Sequence, residues 1–403
     1  MENLNSCCFV ARINQIKVIE GADNIEQAVI GGWNCIVKKG AHQVNELVVC
    51  ATTDAVIPLE ISDSIGVTNY LRKGNRVRTV KLRGVYSECL IISLDLLPQM
   101  KKFFAKGIGY FCDEGQDMME HLGITKYEPP VKQIQLASGR KIKWRDNQNF
   151  HIYYKFPNLK NVDGMFTEED MVQITRKIHG TNARYGIVKK GKLSFWDKVK
   201  KFFRVADALV DYEYIYGSHN CEKGSDSQGF YSTDVWRTIA EEYGIKEKLY
   251  KDALSRHKAG SLGTGLVIYG EIYGAGIQKN YEYGLKDIKF AGFDVTIDGK
   301  YESTIYTEWM FSPNMLELPH VEVLYEGRWN QEIQDSFVFN NFIEINEITI
   351  TDFSDMTGIL KKTKVPHEGI VIKHISGDRK KVAKVINPDY LIYGEKNDVG
   401  DSH

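Results

Sequence analysis

In MVQITRKIHGTNARYGIV, residues 171–188, Val172 and Ile174 alternate with Gln173, Thr175 and Lys177. A strand with that alternation buries the first pair and turns Lys177 toward a pocket. The chain then turns through His179, Gly180, Thr181 and Asn182 and re-enters a strand at 183–188. An amine at a strand end, followed by a Gly-containing polar turn, suits a nucleophile facing a nucleotide. On local pattern alone the same lysine also reads as a solvated surface charge.

Downstream segments add further candidates. Glu271 lies in IYGEIYG, Phe293 in FAGFDV, Glu368 and Lys373 in HEGIVIK, and Lys384 in KKVAKVIN. Each charged group sits in or beside an apolar strand. A charge there is costly unless it is paired, holds a metal or faces a cleft. By pattern, Phe293 reads as a core aromatic and YGSHN, with His219 and Asn220, as a Gly/Ser/Asn turn.

The elements that must position these residues fall into two parts. CCFVARINQIKVI, NIEQAVIGGWNCIVKK, NELVVCATTDAVIPL, RVRTVKLR and SECLIISLDLL read as five short strands, punctuated by Gly21, Gly31–Gly32 and Gly74. Such a run fits a small closed barrel of the OB type. Arg72, Lys73, Arg76, Arg78, Lys81 and Arg83 crowd one of these strands and its approach. Arg76, Arg78 and Lys81 are candidate contacts to a nucleic-acid backbone, while alternation puts Arg83 on the opposite face from Arg76 and Arg78. The proline-containing stretch 125–148 reads as a linker. The expected domains are 1–128, a barrel, and 150–403, joined by a linker at 129–149.

From Phe150 onward strands and helices interleave. WDKVKKFFRVADAL reads as a helix with Trp196, Val199, Phe202, Phe203, Ala206 and Leu209 on one face and a basic opposite face. TDVWRTIAEEYGIKEKLYKDALSRH reads as a helical region capped by Thr233 and Asp234 and broken by Gly244. Hairpin-like turns are expected at Asp298–Gly299 and Ser376–Gly377. The expected fold class is α+β, a β-barrel followed by antiparallel sheets with flanking helices.

Composition bounds the reading. The 403 residues leave room for two to three domains, and 43% hydrophobic with 26% charged residues is ordinary globular usage. Disordered, collagenous and low-complexity classes are excluded. A net charge of −1 makes any nucleic-acid contact a matter of local patches. The 7 cysteines form no metal-ligand spacing and are expected as free thiols in a reducing compartment. With no signal peptide and no apolar run of about 18 residues, a soluble, cytoplasmic protein is expected.

Taken in series, the segments resemble a family. KIHGTN is similar to the nucleotidyl-lysine motif of covalent nucleotidyltransferases, which comprise DNA ligases, RNA ligases and mRNA capping enzymes. IYGEIYG, FAGFDV, HEGIVIK and KVAKVIN resemble the later motifs of that superfamily, in the same order. A lysine followed by HGTN favours the RNA ligase branch. EGADNIEQAVIGGWNCIVKKG and RVRTVKLRGVYSECLIISL resemble the N-terminal OB-fold domain of ATP-dependent RNA ligases of the Deinococcus/Naegleria type. With few residues after Lys384, no downstream OB domain of the kind that DNA ligases and capping enzymes carry is expected, which points the same way.

The resemblance implies a lysyl-AMP intermediate on Lys177, with ATP and Mg²⁺ or Mn²⁺ as cofactors and RNA ends bearing a 3′-hydroxyl and a 5′-phosphate as substrate. Glu271 and Glu368 are then expected to hold the metal. Lys373 and Lys384 are expected to contact phosphate or to lower the pKa of the nucleophile, and Phe293 to stack on adenine. His179, Thr181, Asn182, His219 and Asn220 are expected around the nucleotide. The enzyme is expected to act as a monomer in nick or RNA repair, without a membrane. Two features depart from the family. A second lysine on the face of Lys384 is missing unless Lys381 substitutes, and Arg176 replaces an acidic residue, so adenine recognition is expected through the backbone. A DNA ligase, a capping-type transferase and a non-catalytic OB-fold binding protein remain the alternatives.

Overall fold

The computed structural model describes residues 6–72, 74–94, 113–127, 147–162, 164–191, 209–218, 222–223, 234–281, 283–339, 342–344, 364–397 and 399. Two units organise them. The first comprises Met1–Pro130, Pro157–Met165 and Val385–Lys396; the second comprises Val131–Phe156, Phe166–Lys384 and Asn397–His403. The chain therefore does not divide once, as the expected boundaries have it. Pro157–Met165 and Val385–Lys396 return to the N-terminal unit. Ion pairs of Lys160 with Glu88 and of Glu395 with Arg78 tie them there.

In the first unit the strands are β1 (Cys8–Arg12), β2 (Gln15–Val18), β3 (Ile25–Ile30), β4 (Trp33–Lys38), β5 (Leu47–Thr52), β6 (Ala55–Val56), β7 (Val80–Leu82), β8 (Val85–Ser87), β9 (Cys89–Ser93) and β10 (Thr125–Lys126). They form antiparallel sheets in the orders β1-β5-β9 and β2-β3-β4, with hairpin β7-β8 and pair β6-β10. Val48 and Cys50 meet Ala28, Ile30, Trp33 and Cys35 in the core. The expected single strand RVRTVKLR is only three residues long. Arg83 and Gly84 take φ of 49° and 80° and close a tight hairpin, and Arg76 and Arg78 lie ahead of the strand. Cys7, Cys8, Cys35, Cys50 and Cys89 are buried and free.

In the second unit the strands are β11 (Met171–Lys177), β12 (Thr181–Lys189), β13 (Tyr212–Gly217), β14 (Glu222–Lys223), β15 (Gly265–Gly274), β16 (Ile288–Ile297), β17 (Lys300–Tyr301), β18 (Val323–Arg328), β19 (Phe342–Glu344), β20 (Lys364–Pro366), β21 (Gly369–His374) and β22 (Val382–Ile386). One sheet has the order β18-β11-β21-β22 and another β14-β13-β12-β15-β16-β17, while β19 and β20 form a separate pair. Strand β15 reads as a continuous apolar run because both of its faces are covered. Leu266, Ile268 and Ile272 enter a core with Ile239, Leu249, Phe290 and Met310. Val267 and Tyr269 enter a second cluster with Phe150 and Tyr153.

The helix Val235–Glu242 begins at Asp234, whose carboxylate accepts the Arg237 amide at 3.3 Å. Gly244, at φ 59°, ends that segment before the helix Ile245–Lys258. Asp298 and Gly299 turn β16 into β17, with φ of 53° and 76°. The expected helix at 196–209 and the linker fall mostly outside the described residues. Among the described residues no helix is long and apolar enough to cross a membrane.

Candidate active site

Lys177 is the last residue of β11, and in the β11–β21 ladder it stands opposite Gly369. That register brings the preceding residue, Glu368, to its amine, and the two side chains form an ion pair. The chain then leaves one sheet and enters the other within residues 178–180. Gly180 makes this crossing possible. A Cβ there would lie 2.2 Å from the Ile272 carbonyl oxygen and 2.8 Å from Glu271 Cγ. Only glycine allows the turn to lie so close against β15.

Strand β12 pairs Thr181 with Ile272 and Asn182 with Glu271. Directly opposed residues on one sheet face stand about 5 Å apart at Cβ. Thr181 is buried, and the Asn182 carbonyl accepts from Trp236 Nε1 at 3.0 Å. Burial pushes the Glu271 carboxyl up to about 8, and the nearby Glu368 charge adds to this, against the pull of Lys177 and the Gly180 amide. Glu368 behaves in the opposite way. Burial works against its charge, but Lys177, His179 and Lys384 outweigh that and hold it below its usual value. Lys177, Glu271, Glu368, His179 and Lys384 thus act on one another at one site.

Two buried oxygens here, Glu368 Oε2 and Asn182 Oδ1, have no hydrogen-bond partner among the described residues. The described residues contain no cluster of three or more His, Cys, Asp or Glu able to hold a metal. A pair of carboxylates suffices for Mg²⁺, which keeps several waters and binds through one or two carboxylates. The orphaned Glu368 oxygen beside Glu271 therefore fits such an ion.

Lys373 lies elsewhere. It stands opposite Gln173, four residues along β21 from Gly369, or about 13 Å at ~3.3 Å per residue. Its amine donates to Asp294 Oδ2 at 2.8 Å and to the Phe293 carbonyl at 2.7 Å. Asp294 also accepts from Tyr153 Oη at 2.6 Å and pairs with Arg379 at 3.2 Å. Lys373 is thus committed to a buried ion pair and is not beside the nucleophile. Asp294, Arg379 and Tyr153 escaped the sequence reading, although Asp294 directly follows Phe293 in FAGFDV. Phe293 packs edge-on against Tyr153, with ring centroids 4.9 Å apart, and stays partly exposed.

Lys381 is ion-paired with Asp170 and so is engaged away from Glu368. Arg176 is held by Glu322 at 2.5 Å, and its amide donates to the Glu322 carbonyl at 2.9 Å. His179 is buried in its turn. His219 and Asn220 lie outside the described residues.

The basic candidates of the first unit already have partners. Arg76 pairs with Asp54 and lies 4.1 Å from the Tyr127 ring centroid. Arg78 reaches Glu395 at 3.4 Å, and Lys81 reaches Asp389 at 3.4 Å and Tyr86 Oη at 2.8 Å. Both acids lie on the helix Pro388–Asn397.

A Naegleria gruberi RNA ligase variant in its apo form matches with a TM-score of 0.64 at 20% identity, covering 97% of this chain and 98% of that one. The same organism's RNA ligase with pyrophosphate gives 0.63 at 20% identity over 97% and 99%. A variant with ATP and Mn gives 0.64 at 20% identity over 96% and 99%. These likenesses support the fold. No curated protein sequence matches. An OB-fold domain model matches residues 7–94, and the RNA ligase family model matches residues 170–386, more than half of the chain. With the motif lysine and its carboxylate partner both inside that span, this chain belongs to the RNA ligase family.

Proposed function

We propose that this RNA ligase is ATP-dependent and joins a 3′-hydroxyl to a 5′-phosphate through lysyl-AMP on Lys177 and an adenylylated 5′ end, in nick or RNA repair. The observation that carries the reading is the strand-end Lys177 held by Glu368, with Glu271 and Asn182 opposed beside it. The neutral Lys177 amine attacks the α-phosphorus of ATP. A nitrogen–phosphorus bond forms, and the bond to the pyrophosphate oxygen breaks. The 5′-phosphate of the RNA then takes the AMP and frees the lysine. A 3′-hydroxyl attacks that phosphate, and AMP leaves as the phosphodiester closes.

Each step asks the protein to position groups and to offset charge. Glu368 orients the Lys177 amine, Lys384 lies close enough to offset phosphate charge, and Asn182 offers an acceptor to a ribose hydroxyl. Mg²⁺, held by Glu271 and Glu368, would neutralise phosphate charge when bound. The Naegleria structures carrying ATP and Mn support this choice of cofactors. Phe293, partly exposed beside Tyr153, is the candidate to stack on adenine. Because Glu322 occupies Arg176, base recognition through the backbone remains part of the reading. The OB-fold domain is assigned to holding the RNA, with Arg76, Arg78 and Lys81 along its path. Among the described residues, five buried free thiols fit a reducing, cytoplasmic setting.

The test is intact-mass analysis after incubation with ATP and Mg²⁺. An AMP adduct that maps to Lys177 is expected. Adduct from GTP alone would overturn the ligase reading.

A further inference from the structure

Lys177 and Glu368 meet at the end of a ladder. The β11–β21 pairing runs as far as Lys177 opposite Gly369, and the β12–β15 pairing starts at Thr181 opposite Ile272. His179 and Gly180 fall between the two ladders. On the other side, Glu368 follows Pro366 and His367, between β20 and β21. Main-chain pairing alone therefore fixes the strands but not the two short connections that aim the reacting pair.

A segment from the β15–β16 connection reaches both. The His179 amide donates to Tyr283 Oη at 2.6 Å, and Gln278 Nε2 donates to the Gly180 carbonyl at 2.5 Å. Tyr281 Oη donates to the Pro366 carbonyl at 2.5 Å, two residues before Glu368. The Tyr281 ring stands edge-on to His179 at 5.2 Å and to Tyr283 at 4.9 Å. Gln278, Tyr281 and Tyr283 are 1%, 2% and 6% exposed. Loss of one polar partner at such depth leaves the other unsatisfied. Tyr283 takes φ 55°, a left-handed conformation that a bulky side chain adopts only when its surroundings enforce it. The segment hangs from β15, the strand that also carries Glu271.

We infer that Gln278, Tyr281 and Tyr283 are positioning residues, a clasp that holds the Lys177 turn and the Glu368 connection in register for lysine adenylylation. This rests on the ATP-dependent reading above. The hydrogen bonds of the clasp run to backbone on both sides of the reacting pair, and its ring contact runs to His179. Its loss should therefore change the rate of the chemical step and leave nucleotide affinity alone. A clasp that merely completes the core would change melting temperature and leave the rate at saturating ATP intact.

The experiment is single-turnover adduct formation with ATP and Mg²⁺ by the full chain, over a range of ATP concentrations. It uses wild type, Tyr281→Phe, Tyr283→Phe and Gln278→Met, each with its melting temperature. The phenylalanine variants keep the rings, and Gln278→Met touches the Gly180 carbonyl contact independently should either ring variant fold poorly. The expected result is a maximal rate roughly ten- to hundredfold slower in folded variants, with the half-saturating ATP concentration unchanged. Wild-type maximal rates in folded variants overturn the clasp while leaving the ATP-dependent reading standing. A proportionate rise in half-saturating ATP with an unchanged maximal rate also overturns it. Absence of any adduct in wild type overturns both.

Discussion

Asn182 stands directly opposite Glu271 in the β12–β15 ladder, so a side-chain amide and a carboxylate share one stretch of the sheet next to the nucleophile. The Asn182 Oδ1 atom is buried without a hydrogen-bond partner among the described residues. An acceptor in that state costs stability until a ligand donor reaches it. Asn182→Ala should therefore weaken ATP, raising half-saturation roughly tenfold for the loss of about one such bond, without lowering the melting temperature. Titrating ATP in the adduct assay decides this, and unchanged half-saturation would count against Asn182 as a nucleotide contact.

Lys177→Ala should abolish adduct formation and all sealing from a 5′-phosphate, while sealing of a pre-adenylylated strand survives. Lys177 forms a bond only in the first transfer. An adduct on the alanine variant would remove the nucleophile assignment.

Glu368→Gln keeps the shape of the side chain but removes the charge that pairs with Lys177. It also takes a charged oxygen from the proposed metal position. The rate of adduct formation should fall at least tenfold and require more Mg²⁺. Wild-type rates at low Mg²⁺ would show that the carboxylate charge is unnecessary.

Glu271, held up near 8 chiefly by burial, gives stability a pH signature. Its folded pKa lies above the unfolded value of 4.5, so between 4.5 and about 8 the folded state binds more protons than the unfolded state. Stability from this group is present below 4.5 and is lost as pH rises toward 8. A divalent cation competes with that proton, so Mg²⁺ should raise the melting temperature more at pH 8 than at pH 6. In Glu271→Gln the difference between the two pH values should vanish. Melting curves with and without Mg²⁺ test both statements.

On the first unit, Glu395 and Asp389 occupy Arg78 and Lys81. These are partly exposed pairs, weak enough for a phosphate backbone to replace. If that strip carries the RNA, Glu395→Gln should tighten RNA binding severalfold at low salt. Neutralising Arg76 and Arg78 should flatten the slope of log affinity against log salt by nearly one for each phosphate that is no longer bound. Filter binding across salt concentrations measures both, and slopes that do not change would place the RNA elsewhere.

What could be read along the chain was whatever neighbouring residues settle among themselves. MVQITRK put Lys177 at a strand end, although Gln173 and Thr175 are buried there along with Val172 and Ile174 instead of forming a polar face; Asp234 and Gly244 bounded helices, and Asp298–Gly299 closed a hairpin. These features follow from side-chain period, capping and left-handed φ, all of which act within a few residues. RVRTVKLR forms a shorter strand than its composition suggests: Arg83 ends it by taking the turn with Gly84, and at the other end Arg76 makes only isolated bridges with Val56 and Arg72, choices that β-propensity does not register.

Which charges meet is a different matter, because partners distant in sequence are chosen by packing. Lys373 looked like a site lysine, yet Asp294, on a strand of the other sheet, takes its amine into the interior. Lys381, a candidate substitute from the position next to the missing lysine, is drawn to Asp170. Arg78 and Lys81 looked like an open basic strip until the far end of the chain folded back with Glu395 and Asp389. The sequence alone determined the residue types, their local faces and the order of the motifs. Tertiary structure decided which buried charges neutralise each other and which were left together at Lys177, since a desolvated charge settles wherever the folded chain brings it a partner.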